Sequence, residues 1–411
     1  MKPEQSTPVI RPEAEQTQGQ QLTGKIIALL AGLSAIGILS TNIILPAFPD
    51  IGEQLGVSSR ELGLTLSSFF ITFALAQLVV GPLADRFGRK KLVLGGLSVF
   101  MVGTVVGGLA GSLEMLITGR VIQALGVCAA AVLSRAIARD LFTGERLARA
   151  LSLTMIATAT APGFSPLIGS VLAATLGWRA IFIAVGLAAF AVAVFYASAL
   201  GETHPAERRA AHSIPGVMVA YVKLALNTKF ILPAMSVSLL MSGLFASFSA
   251  APAILMGGIG LSSLQTGLYF ASTVFVVFAA GMASPRLAHR YGAQNITLVG
   301  ILIALSGGGL LLIGPAAPGL GWYTLSMIMF LWGMGLANPL GTAITMGPFG
   351  HQAGLASALL GFLSMGSAAV TTWLASVLAF PAVTSLGGIQ VITCFIAFLL
   401  FSLRCQLKAS A

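Results

Sequence analysis

The sequence is short of charge. Of 411 residues, 8% are Asp, Glu, Lys or Arg, against about 25% in an average soluble domain. Acids are the scarcest: there are 12, the last is Glu207, and none follows it in the rest of the chain. Hydrophobic residues make up 56% and the mean hydropathy is +0.95. Such a chain cannot clothe itself in a water-facing surface, which excludes an ordinary soluble enzyme or binding domain. Cysteine is scarce too. Cys128, Cys394 and Cys405 have no metal-binding spacing and read as small packing residues. The four histidines, His204, His212, His289 and His351, fall between apolar runs, in segments read as cytoplasmic loops. No enzyme motif, metal set or cofactor signature is present. "GQQLTGKI" (19–26) nearly spells a phosphate loop, but Ile26 stands where the magnesium-binding hydroxyl belongs and no strand precedes it. An ATP-driven pump is therefore not expected.

What the chain has in quantity is long apolar runs. A bilayer-crossing helix needs about 20 apolar residues, and about twelve such runs occur. They lie near 26–48, 62–83, 92–111, 114–138, 148–173, 180–200, 230–256, 266–284, 295–315, 321–346, 353–380 and 384–403. If both termini face the cytoplasm, every basic residue except Arg60, Arg179 and Arg120 falls on the inner side. Positive residues are retained there during insertion. The distribution therefore sets the orientation, and it explains a net charge of +10 without a nucleic-acid partner. The organisation read from the sequence is a disordered cytoplasmic tail (1–24), a six-helix half (25–200), a polar cytoplasmic linker (201–229), a second six-helix half (230–404) and a short cytoplasmic tail (405–411). The first residues lack a basic start and a small-residue cleavage site, so helix 1 is not expected to be a removed signal.

Charge is concentrated at "GPLADRFGRKK" (81–91), read as the loop between helices 2 and 3. "LADRFG" (83–88) returns as "LAHRYG" (287–292), each time after an even-numbered helix. The chain thus reads as two parallel repeats, an arrangement suited to rocking around a central site. Gly81 and Gly88 allow a tight turn, Asp85 is an acceptor for backbone or arginine donors, and Arg89 is placed to pair with Asp140. The plainer reading of the same stretch is a retention loop.

Residues 81–90, "GPLADRFGRK", follow the G-x-L-x-D-R-x-G-R-[RK] pattern of the major facilitator superfamily, and the chain resembles that family. "ITGRVIQALG" (117–126) is similar to its fourth-helix motif with a buried arginine. "APGFSPLIGS" (161–170) is similar to the helix-5 motif of its antiporters. "SRAIARDLFTGERLARALSL" (134–153), "GWRAIF" (177–182), "FASFSAAP" (245–252) and "AGLASALLGF" (353–362) resemble the bicyclomycin-resistance (Bcr/CflA) branch. The resemblance implies an all-α fold of twelve helices in two pseudo-symmetric halves, a multi-pass protein of the bacterial inner membrane that works as a monomer. It implies export of a small amphipathic drug or metabolite by alternating access, with no cofactor. It also implies that Asp85, with Gly81, Arg86, Gly88, Arg89 and Asp140, forms a latch of the outward-open state. Pro162, Gly163, Pro166 and Gly169 would form a helix-5 segment that seals one side.

Candidate cavity residues are Asn42, Arg120, Gln123, Phe245, Phe248, Trp332 and Asn338, with Phe69, Phe73 and Phe362 as further aromatic candidates. Arg120 lies inside a span, where a charged side chain costs about 2.5–3.5 kcal/mol on insertion scales. It needs a cavity, a ligand, or neutral partners such as helix-1 carbonyls and Gln123. Asn42, in "ILSTNIILPAFPDIG" (38–52), stands where the resembled branch has a proton-coupling aspartate. Three accounts stay open. The substrate carries the charge against Arg120, the chain is uncoupled, or Asp50 or Glu114 couples protons instead. A siderophore or anionic-metabolite exporter is the alternative within transport. A non-transporting membrane sensor or scaffold is the alternative outside it, and an intramembrane enzyme would need a nucleophile–base pair or metal cluster.

Overall fold

In lipid a backbone N–H or C=O has no water to bond, so a spanning segment must satisfy these groups internally, as helix. The computed structural model describes residues 23–205, 207 and 214–409. Among them, twelve helices are long and apolar enough to cross a membrane. We number these α1 (Gly24–Leu55), α2 (Gly63–Phe87), α3 (Arg89–Gly108), α4 (Leu113–Leu141), α5 (Gly144–Leu176) and α6 (Arg179–Ala199) in the first half. The second half contains α7 (Thr228–Gly258), α8 (Ser263–Tyr291), α9 (Ala293–Ile313), α10 (Leu320–Met346), α11 (Ala353–Val377) and α12 (Ala382–Ala409). No strand occurs among the described residues. The tail and part of the linker, including Arg208 and Arg209, lie outside them. The end of the bundle where α1 starts and α12 finishes is the basic end, and the opposite one is the far end.

The repeat seen in the sequence is a repeat of packing. In each half the first helix packs on the fifth, the second on the fourth, and the third on the fourth and sixth. Without a hydrophobic drive between helices in lipid, close packing needs small residues. A Cβ on Gly96 of α3 would sit 2.6 Å from the Gly126 carbonyl of α4. One on Gly300 of α9 would sit 2.7 Å from the Gly333 carbonyl of α10. The halves meet through α2 against α11 and α5 against α8.

Three features differ from the sequence reading. Residues 81–91 are not a loop: α2 runs through Asp85 to Phe87, Gly88 alone is non-helical, and α3 starts at Arg89. Gly88 has φ +94° and Gly292, at the α8–α9 junction, +86°. A side chain is disfavoured there, so each copy of the repeated motif ends in glycine. Second, the linker contains a helix, Ile214–Ala225, whose Tyr221 and Leu224 bury against Phe230 of α7 and Ala356 and Leu359 of α11. Third, His289 lies in the last turn of α8 rather than in a loop.

If the α3–α4 seam holds the first half together, Gly126→Leu overpacks it, at a cost of about 1–3 kcal/mol or more. Fluorescence-detected size exclusion should show loss of the monodisperse peak. Gly95→Leu, next to the seam but with open space around its Cα, should leave the peak intact; equal behaviour of the two variants would refute the seam's role.

Candidate functional site

Arg120 is the most buried charged residue among those described. It sits two turns into α4 from the far end and is 1% exposed. Its Nη1 donates to the Ser40 carbonyl of α1 at 3.0 Å and to Gln123 Oε1 at 2.8 Å. The Ser40 carbonyl belongs to the last turn of the first α1 segment, which stops at Asn42 ahead of a 3-10 turn, Leu45–Ala47, carrying Pro46. Gln123 Nε2 donates in turn to Thr104 Oγ1 of α3 at 2.8 Å. Gln123 therefore faces the α3–α4 seam and orients Arg120. Nε and Nη2 of Arg120 meet no acceptor among the described residues. The guanidinium lies 4.6 Å from the Phe69 ring centre, a cation–π distance. Asn42, 1% exposed, donates from Nδ2 to its own helix at Ile38 O, 3.0 Å, and shares no hydrogen bond with Arg120.

From Phe69 a chain of rings crosses the molecule. Phe69 packs with Phe70 and Phe73 at 6.1 and 6.2 Å between centres. Phe70 meets Phe245 of α7 at 4.7 Å, Phe245 meets Phe248 at 6.3 Å, and Phe248 meets Phe270 of α8 at 5.6 Å. The Phe70–Phe245 pair joins the two halves directly. Phe69 lies about 9 Å along α2 from its far-end start, at ~1.5 Å per residue.

From one turn beyond Phe270 to the far end, α5 and α8 press the two halves together. Within the first half, a Cβ on Gly169 of α5 would collide with the Ile43 carbonyl of α1; across the halves, one on Gly163 would collide with the Val274 side chain of α8, one turn on the basic side of Phe270. A Cβ on Gly267 of α8 would lie 2.7 Å from Ser170 Oγ. Pro162 and Pro166 sit inside the same continuous helix, flanking Gly163. At the end itself, Arg60 clasps the second half: Nη1 donates to Leu378 O at 2.6 Å and Nη2 to Phe380 O at 2.7 Å. Ser263 Oγ donates to Pro46 O at 3.1 Å.

At the basic end the charges form one network within the first half. Arg89 is almost buried, with Nη1 2.6 Å from Asp85 Oδ1 and Nε 3.3 Å from Asp140 Oδ2. The backbone N–H groups of Arg89 and Lys90 donate to the Glu202 carboxylate at 2.8 and 3.2 Å. An acid at a helix N-terminus satisfies orphan donors and complements the dipole. Lys90 Nζ donates to the terminal carbonyls of α6, Ala197 O and Leu200 O, at 3.0 and 2.8 Å. Thr203 Oγ1 donates to Asp140 Oδ2 at 3.2 Å. The linker helix stands beside Asp85: burial first, and then the Asp85 charge, push the Tyr221 phenol up to about 12. Among the described residues the matching stretch of the second half, with His289 for Asp85, forms no ion pair.

The structure therefore gathers Arg120, Gln123, Phe69, Phe73, Phe245 and Phe248 into one connected site, and Asp85, Arg89 and Asp140 into another. Gly81 and Arg86 flank the second without joining its bonds; Arg86 instead lies 5.3 Å from the Phe87 ring. Trp332 does not join the aromatic layer. It packs with Ala280 and Ile296 in a separate cluster among α8, α9 and α10, because its position on α10 faces those helices. Phe362 packs with the linker-helix cluster. Asn338 is half-buried and makes no hydrogen bond among the described residues. Sequence reasoning missed Phe70, Phe270, Arg60 and Glu202. Arg60 carried one usable signal, as a basic residue on the side where such residues are rare.

Residues 30–372 match the family described as the Major Facilitator Superfamily. An uncharacterized MFS-type transporter, YdgK of Bacillus subtilis (strain 168), is 29% identical over 386 residues, covering 92% of this chain and 96% of its own length. Multidrug resistance protein D of Escherichia coli (strain K12) is 28% identical over 388 residues, with the same two coverages. A chloramphenicol resistance protein of Pseudomonas aeruginosa is 29% identical over 357 residues, covering 83% of this chain and 82% of its own. Among solved structures, an inward-facing, occupied bacterial homolog of the human lysosomal transporter Spinster superposes with a TM-score of 0.73 at 18% identity, covering 93% of this chain and 96% of its own. A D-xylose-proton symporter superposes with a TM-score of 0.70 at 16% identity, covering 91% and 96%. With its twelve apolar helices, its duplicated six-helix packing and relatives that are transporters rather than enzymes, the chain belongs to the Major Facilitator Superfamily.

Proposed function

We propose that this protein exports small amphipathic compounds across a bacterial inner membrane by alternating access, with the basic end and both termini in the cytoplasm. The observation that carries this reading is the clasp between the halves at the far end. The Arg60 clasp and the contact of Gly267 of α8 with Ser170 of α5 hold the halves together at the far end, and the aromatic layer joins them below it. Among the described residues Asp85 bonds Arg89, in its own half. This combination fits a state closed to the outside with its latch disengaged. The relatives named for multidrug and chloramphenicol resistance support drug-like substrates. The excess of basic residues at one end supports the orientation.

In the opposite state the far-end contacts part and the two halves rock together at the basic end. The start of α11 at Ala353 then approaches Asp85, whose negative charge suits a helix N-terminus. Phe70 separates from Phe245, and the aromatic layer becomes the wall of a binding site open to the outside.

The direct test is export from a pump-deficient bacterial strain challenged with a panel of drugs and siderophores. Raised resistance or lowered accumulation for at least one amphipathic compound is expected; an unchanged profile across the panel would defeat the reading. Asp85→Asn, at equal expression, should lose most transport, and wild-type rates would remove the latch. Arg60→Ala deletes two charge-assisted hydrogen bonds that hold the far end closed. Such bonds contribute about 1.5–3 kcal/mol each, so the open population should rise about tenfold or more. The readout is labelling of a cysteine placed at Ser376 by a membrane-impermeant maleimide from the far side. Unaltered labelling would show that the clasp does not control the seal.

A further inference from the structure

We infer that the substrate supplies the negative charge that the spans lack: the site takes an aromatic mono-anion against Arg120, and the membrane potential rather than proton exchange drives it outward. This rests on the transport reading above and names its substrate class.

The first observation is where the carboxylates are. Asp50, Glu53, Glu61 and Glu114 lie at the far end, and Asp85, Asp140, Glu145 and Glu202 at the basic end. No acid follows Glu207 in the rest of the chain. The helices packed on α4 bring no titratable side chain toward Arg120. None occurs in α1 between Lys25 and Asp50, in α2 between Gly63 and Asp85, in α3 between Lys91 and Gly108, or in α5 between Arg149 and Leu176. Among the described residues no carboxylate or imidazole lies midway between the two ends.

The second observation is what Arg120 leaves free. Its buried cation is met only by neutral acceptors, Ser40 O and Gln123 Oε1, and both use Nη1. An uncompensated buried charge is strongly unfavourable. Nε and Nη2, the two donors without partners, form one straight edge of the guanidinium. That edge matches the two oxygens of a carboxylate or sulfonate, a geometry that lysine cannot offer. The same guanidinium lies over the face of Phe69, on which Phe73 stacks. One anionic group flanked by aromatic surface describes an aromatic anion.

The third observation is the approach. Going from Arg120 toward the basic end, α4 next offers Arg135, exposed, and then Arg139. Arg135 is about 22 Å along the helix at ~1.5 Å per residue. Basic side chains at the mouth of a path raise the local concentration of anions. An anion leaving a cell that is negative inside moves downhill: about 100 mV corresponds to roughly a fifty-fold concentration ratio for one charge. Export of such a substrate needs no proton.

The test uses the full-length protein in liposomes loaded with radiolabelled naphthalene-1-sulfonate, which is permanently charged and carries no proton. Protein-dependent efflux should rise at least tenfold when a potassium diffusion potential makes the interior negative, and should not respond to a pH gradient at zero potential. Arg120→Gln should abolish it. Arg120→Lys, which keeps the charge and guards against loss of folding, should retain a small fraction and still respond to potential. Asn42→Asp, which adds an acid on α1 near Arg120, should lower sulfonate efflux and make it sensitive to the pH gradient. Efflux of N-methylquinolinium driven by the pH gradient, with none of the sulfonate, would overturn the inference and leave the transport reading standing. No flux of either probe, under any gradient, would overturn both. Wild-type sulfonate efflux by Arg120→Gln would remove Arg120 from the site.

Discussion

The cost of placing an unpaired charge or an unbonded backbone group in lipid governs this molecule. It forces every span to be a helix, moves nearly every charge to one end or the other, and leaves helix association to shape. The glycine seams of α3–α4 and α9–α10 follow directly. Where hydrocarbon surrounds both partners, van der Waals contact holds them, and contact is closest where there is no Cβ. Many serine and threonine hydroxyls bond to their own helices, as Thr104 does to Phe100 O at 2.8 Å, and others reach across to a neighbour, as Ser326 does to Gly307 O at 2.6 Å. Gln123 can thus be buried at little cost because its amide closes a path from Arg120 to that hydroxyl.

Against that background the charges that remain have visible tasks. Those at the basic end tie α2, α3, α4, α6 and the start of the linker into one unit. Arg60 fastens the other end to backbone carbonyls, acceptors that exist wherever a helix stops. Arg120 alone lies deep without a countercharge. The two arginines use the same planar fork for different purposes: one holds the halves together, and the other faces the layer where the halves meet.

Much of this was legible from the residues. Apolar runs gave the spans to within a few positions, since length and hydropathy are what lipid selects. The motif repeated at 83–88 and 287–292 announced the duplication. Arg120 and Gln123, three apart, were visible as polar groups on one helix face. The rest depended on relations that a linear reading does not contain. Gly88 looked like part of a loop because charge around it suggested water, yet a single positive φ suffices to separate two helices. Trp332 resembled the other aromatic candidates, but its angle around α10 turns it toward α8 and α9. Phe70 was indistinguishable from many lipid-facing phenylalanines until Phe245 was seen opposite. Glu202 cannot be recognised as the cap of α3 without knowing that the end of α6 lies beside it.

The lone residue between α2 and α3 has a mechanical result. A helix that stops and restarts within one glycine leaves no slack, and Arg89 is bonded on both sides of that joint, to Asp85 before it and to Glu202 and Asp140 beyond. The first half is therefore stiff at the basic end. The second half has the same glycine joint at Gly292 but no ionic brace around it among the described residues. Bending strain during a transport cycle should concentrate there, in α8 and α9. Two halves with the same ancestry of packing would then act unequally, the first as a rigid frame and the second as the compliant arm.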